Sequence, residues 1–198
     1  MRNTFLLIGE GPTEYYFLYS LKDDYRNLQN ISPNYPKHTS LYQLECAIKE
    51  GITKGYSRIY CLIDMDNKKD GKDKTKYLSL KKKFHNQRII KRKQGIDCFV
   101  KFFETDRCTE LFFLYYFKYT TKLYDYSDQV VAELNNISGY EKRIEFFQKH
   151  PLHPFFVSKG GSISAAIKNS NNSMKEAALR GYTYSELGSL FQELGLED

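Results

Sequence analysis

Six carboxylates in this 198-residue chain stand at the ends of apolar runs, at spacings that chemistry could use. Glu10 follows Phe5-Leu6-Leu7-Ile8-Gly9. Asp64 and Asp66 follow Arg58-Ile59-Tyr60-Cys61-Leu62-Ile63 as an Asp-Met-Asp. Glu104 and Asp106 follow the run from Ile96 to Phe103, and Glu110 comes a turn later. Carboxylates gathered in a small volume repel one another when ionised unless a cation neutralises them. Oxygen donors of this kind suit Mg²⁺ or Mn²⁺. An Asp-x-Asp alone is a common polar turn, and so is a Glu-Gly after a strand. Their order on successive strands is what singles them out.

The elements that must position these acids alternate between strand and helix. Asn3 to Ile8 reads as a strand, Gly9-Glu10-Gly11-Pro12 as a tight turn, and Tyr15 to Leu21 as a helix with Thr13 at its N-cap. Arg26 to Thr39, with Pro33 and Pro36, reads as a loop. Leu41 to Lys49 is a helix, broken by Gly51 and Gly55. The near-continuous apolar run at 58–63 is what a strand buried on both faces should show. A loop over Asn67 to Lys74, a helix from Thr75 to about Arg92 and a third strand over Ile96 to Phe103 follow. Thr109 to Lys118 forms an aromatic helix whose rings belong to the core. Beyond Asp125 the chain reads as mainly helical, with a loop around Pro151-Leu152-His153-Pro154. The expectation is an α/β fold, a mostly parallel sheet flanked by helices with a helical C-terminal part. In such sheets ligands bind at the carboxyl ends of the strands, where these acids lie.

Composition sets the limits. The length fits one domain over 1–198 that buries roughly 70% of its unfolded surface without disulfides or structural zinc. Hydrophobic residues make up 41% and aromatics 16%, a globular balance. Cys46, Cys61, Cys98 and Cys108 include no CxxC, so they read as thiols of a reducing cytoplasm, with Cys61 and Cys98 buried. The apolar start is short and broken by Glu10, which fits neither a signal nor a transit peptide, and no run approaches a membrane span. A cytoplasmic, soluble chain is expected. His38, His85, His150 and His153 form no metal-binding spacing, and His150 and His153 read as surface residues. No nucleophile elbow and no phosphate-binding GxxxxGK[ST] loop occurs.

Charge is uneven. From Lys68 to Lys93 there are 12 Lys or Arg against Asp70 and Asp73, a local +10 within a net +6, leaving −4 for the rest. Such an imbalance favours an anionic partner, with the phosphate backbone of a nucleic acid the leading candidate, although a solvated helix face reads similarly. Lys68, Lys69, Lys81, Lys82, Lys83 and Arg92 are its candidate contacts.

Phe5-Leu6-Leu7-Ile8-Gly9-Glu10-Gly11-Pro12-Thr13-Glu14, followed by Ile59-Tyr60-Cys61-Leu62-Ile63-Asp64-Met65-Asp66, resembles the Toprim pattern of a Glu-Gly and an Asp-x-Asp on apolar strands. Within that group the chain looks most like the RloB-like branch, akin to OLD-family nucleases and found among bacterial phage-defence genes. Glu14 matches a second acid of the first motif. Thr109-Glu110-Leu111-Phe112-Phe113-Leu114 matches a later helix, with Thr in place of the usual Phe. The motifs cover about residues 1–120; Tyr140-Glu141-Lys142 and Ala165-Ala166-Ile167-Lys168 echo the C-terminal part, 121–198.

The resemblance implies a Toprim-like (Rossmann-like) fold and Mg²⁺- or Mn²⁺-dependent endonuclease chemistry on phosphodiester bonds of RNA, tRNA included, or DNA. It implies Asp64 and Asp66 as metal ligands, Glu10 as ligand or general acid/base, Glu14 as ligand of a second metal, and Glu110 as ligand or supporting residue. A cation near the scissile phosphate would offset developing charge; Lys159 in its Gly-rich turn is one candidate, and Lys68 and Lys69 are others. An antiviral effector role, abortive infection, fits this branch. A separately encoded ATPase or sensor partner fits too, and homo-oligomerisation stays open. The alternatives are a nucleic-acid-binding module without catalysis and a Toprim ribonuclease or primase-like protein of cellular RNA processing.

Overall fold

The computed structural model describes residues 4–35, 40–180 and 183–196, and for 177–180 the backbone alone. Asn3, Pro36, Thr39 and His38 lie outside the described residues. Two compact units make up the chain: 1–63 with 67–102, and 64–66 with 103–198. The division falls inside two strands.

The first unit is built on strands β1 (Phe5–Ile8), β2 (Ile31–Asn34), β3 (Arg58–Asp64), β4 (Gln87–Lys91) and β5 (Ile96–Thr105), in the order β2-β1-β3-β5-β4. The last residues of β3 and β5 belong to the second unit. β1 pairs in parallel with β2 and with β3, and β4 with β5 antiparallel, so the sheet is mostly parallel as expected. Ile59 to Ile63 are each no more than 1% exposed, which is why β3 shows no polar alternation. Helices α1 (Pro12–Asp24), α2 (Leu41–Thr53) and α3 (Lys74–Phe84) complete the unit, burying Phe17, Leu18, Leu21 and Ile48.

Three local expectations are corrected. The stretch expected as a loop contains β2, because Ile31 buries its side chain there and the strand's proline, Pro33, sits at the sheet edge. The helix expected to reach Arg92 ends at Phe84. Asn86 turns the chain with a φ of 58°, a left-handed conformation that Asn tolerates, and the exposed edge strand β4 follows. Gly11, not Thr13, is the N-cap of α1.

The second unit carries the ends of β3 and β5 together with α4 (Glu110–Leu114), α5 (Ser127–Ser138), α6 (Ile144–Lys149), α7 (Leu152–Ser158), α8 (Ile163–Arg180) and α9 (Leu187–Glu193). Its core is aromatic, as the run at 111–116 predicts. Phe113 packs 5.1 Å from Phe156 and 6.1 Å from Tyr140, and Phe112 packs 5.2 Å from Phe191. The loop expected at 151–154 opens α7. There His153 is buried, with Nδ1 3.0 Å from the Tyr116 hydroxyl, so it is not a surface residue, whereas His150 is exposed. The Tyr184–Glu186 backbone docks on the end of β5, Asp106 N–H reaching Tyr184 O and Glu186 N–H reaching Glu104 O, both at 2.8 Å. Among the described residues no helix is long and apolar enough to cross a membrane.

Candidate functional site

In the second unit the Asp-Met-Asp is held by backbone and side chain. Met65 N–H donates to Thr105 O at 3.0 Å, fixing the turn against the end of β5. Thr109, a residue 1% exposed, donates its hydroxyl to Asp64 Oδ1 at 2.9 Å, so this carboxylate has a set orientation. Asp66 is half-buried, 4.0 Å from the Arg107 guanidinium. Arg107 has a φ of 66°, unusual for a residue with a side chain, and its Nε donates to Tyr124 O at 2.6 Å.

Glu110, on α4, is fully buried. The Tyr140 hydroxyl donates to it at 3.0 Å, and Lys142 Nζ lies 3.0 Å away. Burial works to lower the Lys142 pKa, but the charge of Glu110, helped by Cys108 and Asp64, raises it above that of an ordinary lysine. Burial first, then Glu110 and Asp64, push the Cys108 thiol well up. Asp64, Cys108, Glu110 and Lys142 thus form one electrostatic neighbourhood. Glu104 is buried as well and accepts from the Tyr184 hydroxyl at 3.1 Å; burial and then the Glu104 charge raise that phenol. Lys159 is exposed at the end of α7, its ammonium 5.7 Å from the Phe155 ring centroid.

In the first unit Glu10 pairs with Lys68 at 2.8 Å, the two side chains 19% and 10% exposed. Glu14 is buried and turned back on its own helix, its Oε2 accepting Gly11 N–H at 2.7 Å. That hydrogen bond is the carboxylate half of a capping box and suits the positive N-terminus of α1. It needs Gly9: a Cβ there would stand 2.3 Å from Glu14 Cβ. Lys72, Lys74, Lys76, Lys82, Lys83, Arg88, Lys91, Arg92 and Lys93 are exposed, while Lys68, Lys69 and Lys81 are half-buried. Lys83 pairs with Glu45 at 2.7 Å, and Arg88 with Asp97.

The chain matches the family model for RloB-like proteins over residues 5–194. It belongs to the RloB-like protein family. No curated protein and no solved structure matches it.

Several residues of this RloB-like chain that act on the acids were not singled out by sequence: Thr109 as the partner of Asp64, Arg107 near Asp66, and Tyr184 on Glu104. Tyr140 and Lys142 did carry a signal, since they lie in the Tyr-Glu-Lys echo, and both land on Glu110. Among the described residues no group of three or more His, Cys, Asp or Glu side chains is arranged to hold a metal ion. Mg²⁺ keeps several waters and needs only one or two protein carboxylates. Asp64 and Asp66, hard oxygen donors two residues apart, fit that requirement. Glu110, enclosed by Tyr140 and Lys142, and Glu14, engaged with its own helix, do not.

Proposed function

We propose that this RloB-like chain is a Toprim-type nuclease that hydrolyses nucleic-acid phosphodiester bonds with Mg²⁺ or Mn²⁺ held by Asp64 and Asp66. The observation that carries the reading is the oriented Asp64 carboxylate at the end of a buried strand, fixed by Thr109, with Asp66 two residues on. When bound, the metal would supply Lewis-acid stabilisation of a phosphoryl oxygen. The chain's own residues account for the rest. Thr109 holds Asp64 in one rotamer. Arg107, seated by the Tyr124 carbonyl, brings a permanent positive charge beside Asp66, where a phosphate would approach. The exposed lysines of α3 supply the electrostatic attraction that positions a phosphate backbone without reading sequence. In the first unit Lys68 holds the Glu10 carboxylate, the acid for which the Toprim resemblance implies a ligand or general acid/base role. Lys159, exposed at the end of α7, is in this reading a cation for the scissile phosphate. An effector role in bacterial antiviral defence, under a separately encoded ATPase, follows from the Toprim resemblance and rests on it alone.

One observation favours a second reading, a binding module without catalysis. Two of the candidate acids, Glu10 and Glu110, already have lysine partners, so their charges do not call for a cation. Purified protein incubated with labelled RNA and DNA separates the readings. Cleavage that EDTA abolishes and added Mg²⁺ or Mn²⁺ restores supports the nuclease; binding without cleavage under every metal condition supports the module.

A further inference from the structure

Tyrosines gather on the surface of the first unit. Tyr15 stands 4.9 Å from Tyr35, 5.4 Å from Tyr16 and 6.0 Å, stacked, from Tyr19, and Tyr16 stands 6.4 Å from Tyr35. Tyr19 and Tyr35 are 52% and 45% exposed. Tyr35 also lines a cavity of about 420 Å³ at the carboxyl ends of β1 and β2, together with Glu10 and Lys68. Ser40 and Leu41 line that cavity and a second one of about 620 Å³, which carries Tyr42, Lys76 and Lys83. The two cavities therefore adjoin at Ser40 and Leu41, and together they outline a groove. It leads from the tyrosine cluster, past Glu10, to a tyrosine that is 71% exposed and then to the lysines of α3.

We propose that this groove binds an unpaired nucleic-acid strand, its bases stacked on Tyr35, Tyr19 and Tyr42 and its phosphates drawn by the lysines of α3. The proposal rests on the nucleic-acid reading above and adds the strand state of the substrate. Exposed aromatic faces beside a cationic track are the means by which single strands are held without sequence preference. A duplex turns its bases inward and offers these rings nothing to stack on. Charge also fits. Glu10 is paired with Lys68, Glu50 with Lys54, and Glu45 with Lys49 and Lys83, leaving Asp73 as the other acid of the lining. Of the basic segment from Lys68 to Lys93, Lys76 and Lys83 line the second cavity, and Lys74 and Lys82 are exposed on the same helix. Hydrogen bonds from Lys49 and then Lys83 hold the Glu45 carboxyl at about 2, so this pairing persists at every physiological pH.

The test is fluorescence anisotropy in EDTA with a short labelled single strand, as DNA and as RNA, and with the matching duplex. The single strand should bind more tightly. Tyr19→Ala, Tyr35→Ala and Tyr42→Ala should each weaken its binding by about five- to a hundred-fold while leaving duplex binding and melting temperature unchanged. The corresponding Tyr→Phe variants, which keep the ring, should bind as wild type. Equal affinity for both forms, unmoved by the alanines, overturns the proposal, and if the duplex is then cut the nuclease reading stands. A wild type that binds single strand through the tyrosines but cuts neither form overturns the nuclease reading and upholds this one. Failure to bind either form overturns the groove assignment and points to a protein partner on the tyrosines.

Discussion

Replacing Lys142 with Met leaves Glu110, which is fully buried, without its cation. Removing one partner of a buried ion pair costs about 3–5 kcal/mol. Two features reduce that here: the Lys142 side chain is 43% exposed, so solvent already screens the pair, and the Tyr140 hydroxyl still donates to Glu110. A loss of about 2 kcal/mol is expected, which for a chain of this size lowers Tm by roughly 4–8 °C. Adding Glu110→Gln to Lys142→Met should recover most of it, since the amide keeps an acceptor for Tyr140 and carries no charge. The pH dependence has a definite sign. The folded-state pKa of Lys142 is raised, so the pair's contribution is fully present below the unfolded lysine value of about 10.4 and is lost as pH rises through the folded value. Thermal melts of wild type, both singles and the double variant at neutral pH and above pH ~10 measure this. A Lys142→Met variant that melts with wild type, or a double variant no better than Lys142→Met, refutes the idea that Glu110 is held by a buried pair.

Gly9→Ala should destabilise the chain by about 1–3 kcal/mol, because the added Cβ meets Glu14 Cβ at 2.3 Å in the β1–α1 turn; an unchanged melt would mean that the turn relaxes freely. Reversing Lys81, Lys82 and Lys83 to Glu should weaken nucleic-acid binding. It should also make the salt dependence shallower, by roughly one unit of log–log slope for each phosphate no longer neutralised, with exposed Lys82 outweighing Lys83, which Glu45 already holds. Unchanged affinity would return the run to a solvated helix face.

The strand–helix alternation was legible because β1 and β3 are buried on both faces and so write themselves as apolar runs. The edges were not. β4 carries Gln87, Arg88 and Lys91 with Ile89 and Ile90 side by side, a pattern without strand alternation, and it follows a lysine-rich helix of similar composition. β2 sits at the other edge with a proline, which reads as a loop. The Asp-Met-Asp was legible from its place after β3, but its supports were not. Thr109 and Arg107 act through a strand end and a left-handed backbone that no spacing reveals, whereas Tyr140 and Lys142, 30 and 32 residues from Glu110, were marked only by the Tyr-Glu-Lys echo. Glu14 carries two readings at once. An acid at the third position of a helix is as well suited to its own N-terminus as to a metal, and in this chain its Oε2 accepts the Gly11 N–H.

The most direct test of the central claim is Asp64→Asn. Asparagine keeps an oxygen to accept from the Thr109 hydroxyl, so the fold should survive while the metal loses a charged ligand. Cleavage, melting temperature and nucleic-acid affinity would be measured on one preparation. Cleavage should fall by at least about a hundred-fold, with melting and binding at wild-type values. A variant that cuts at the wild-type rate would contradict the assignment of Asp64 to the metal.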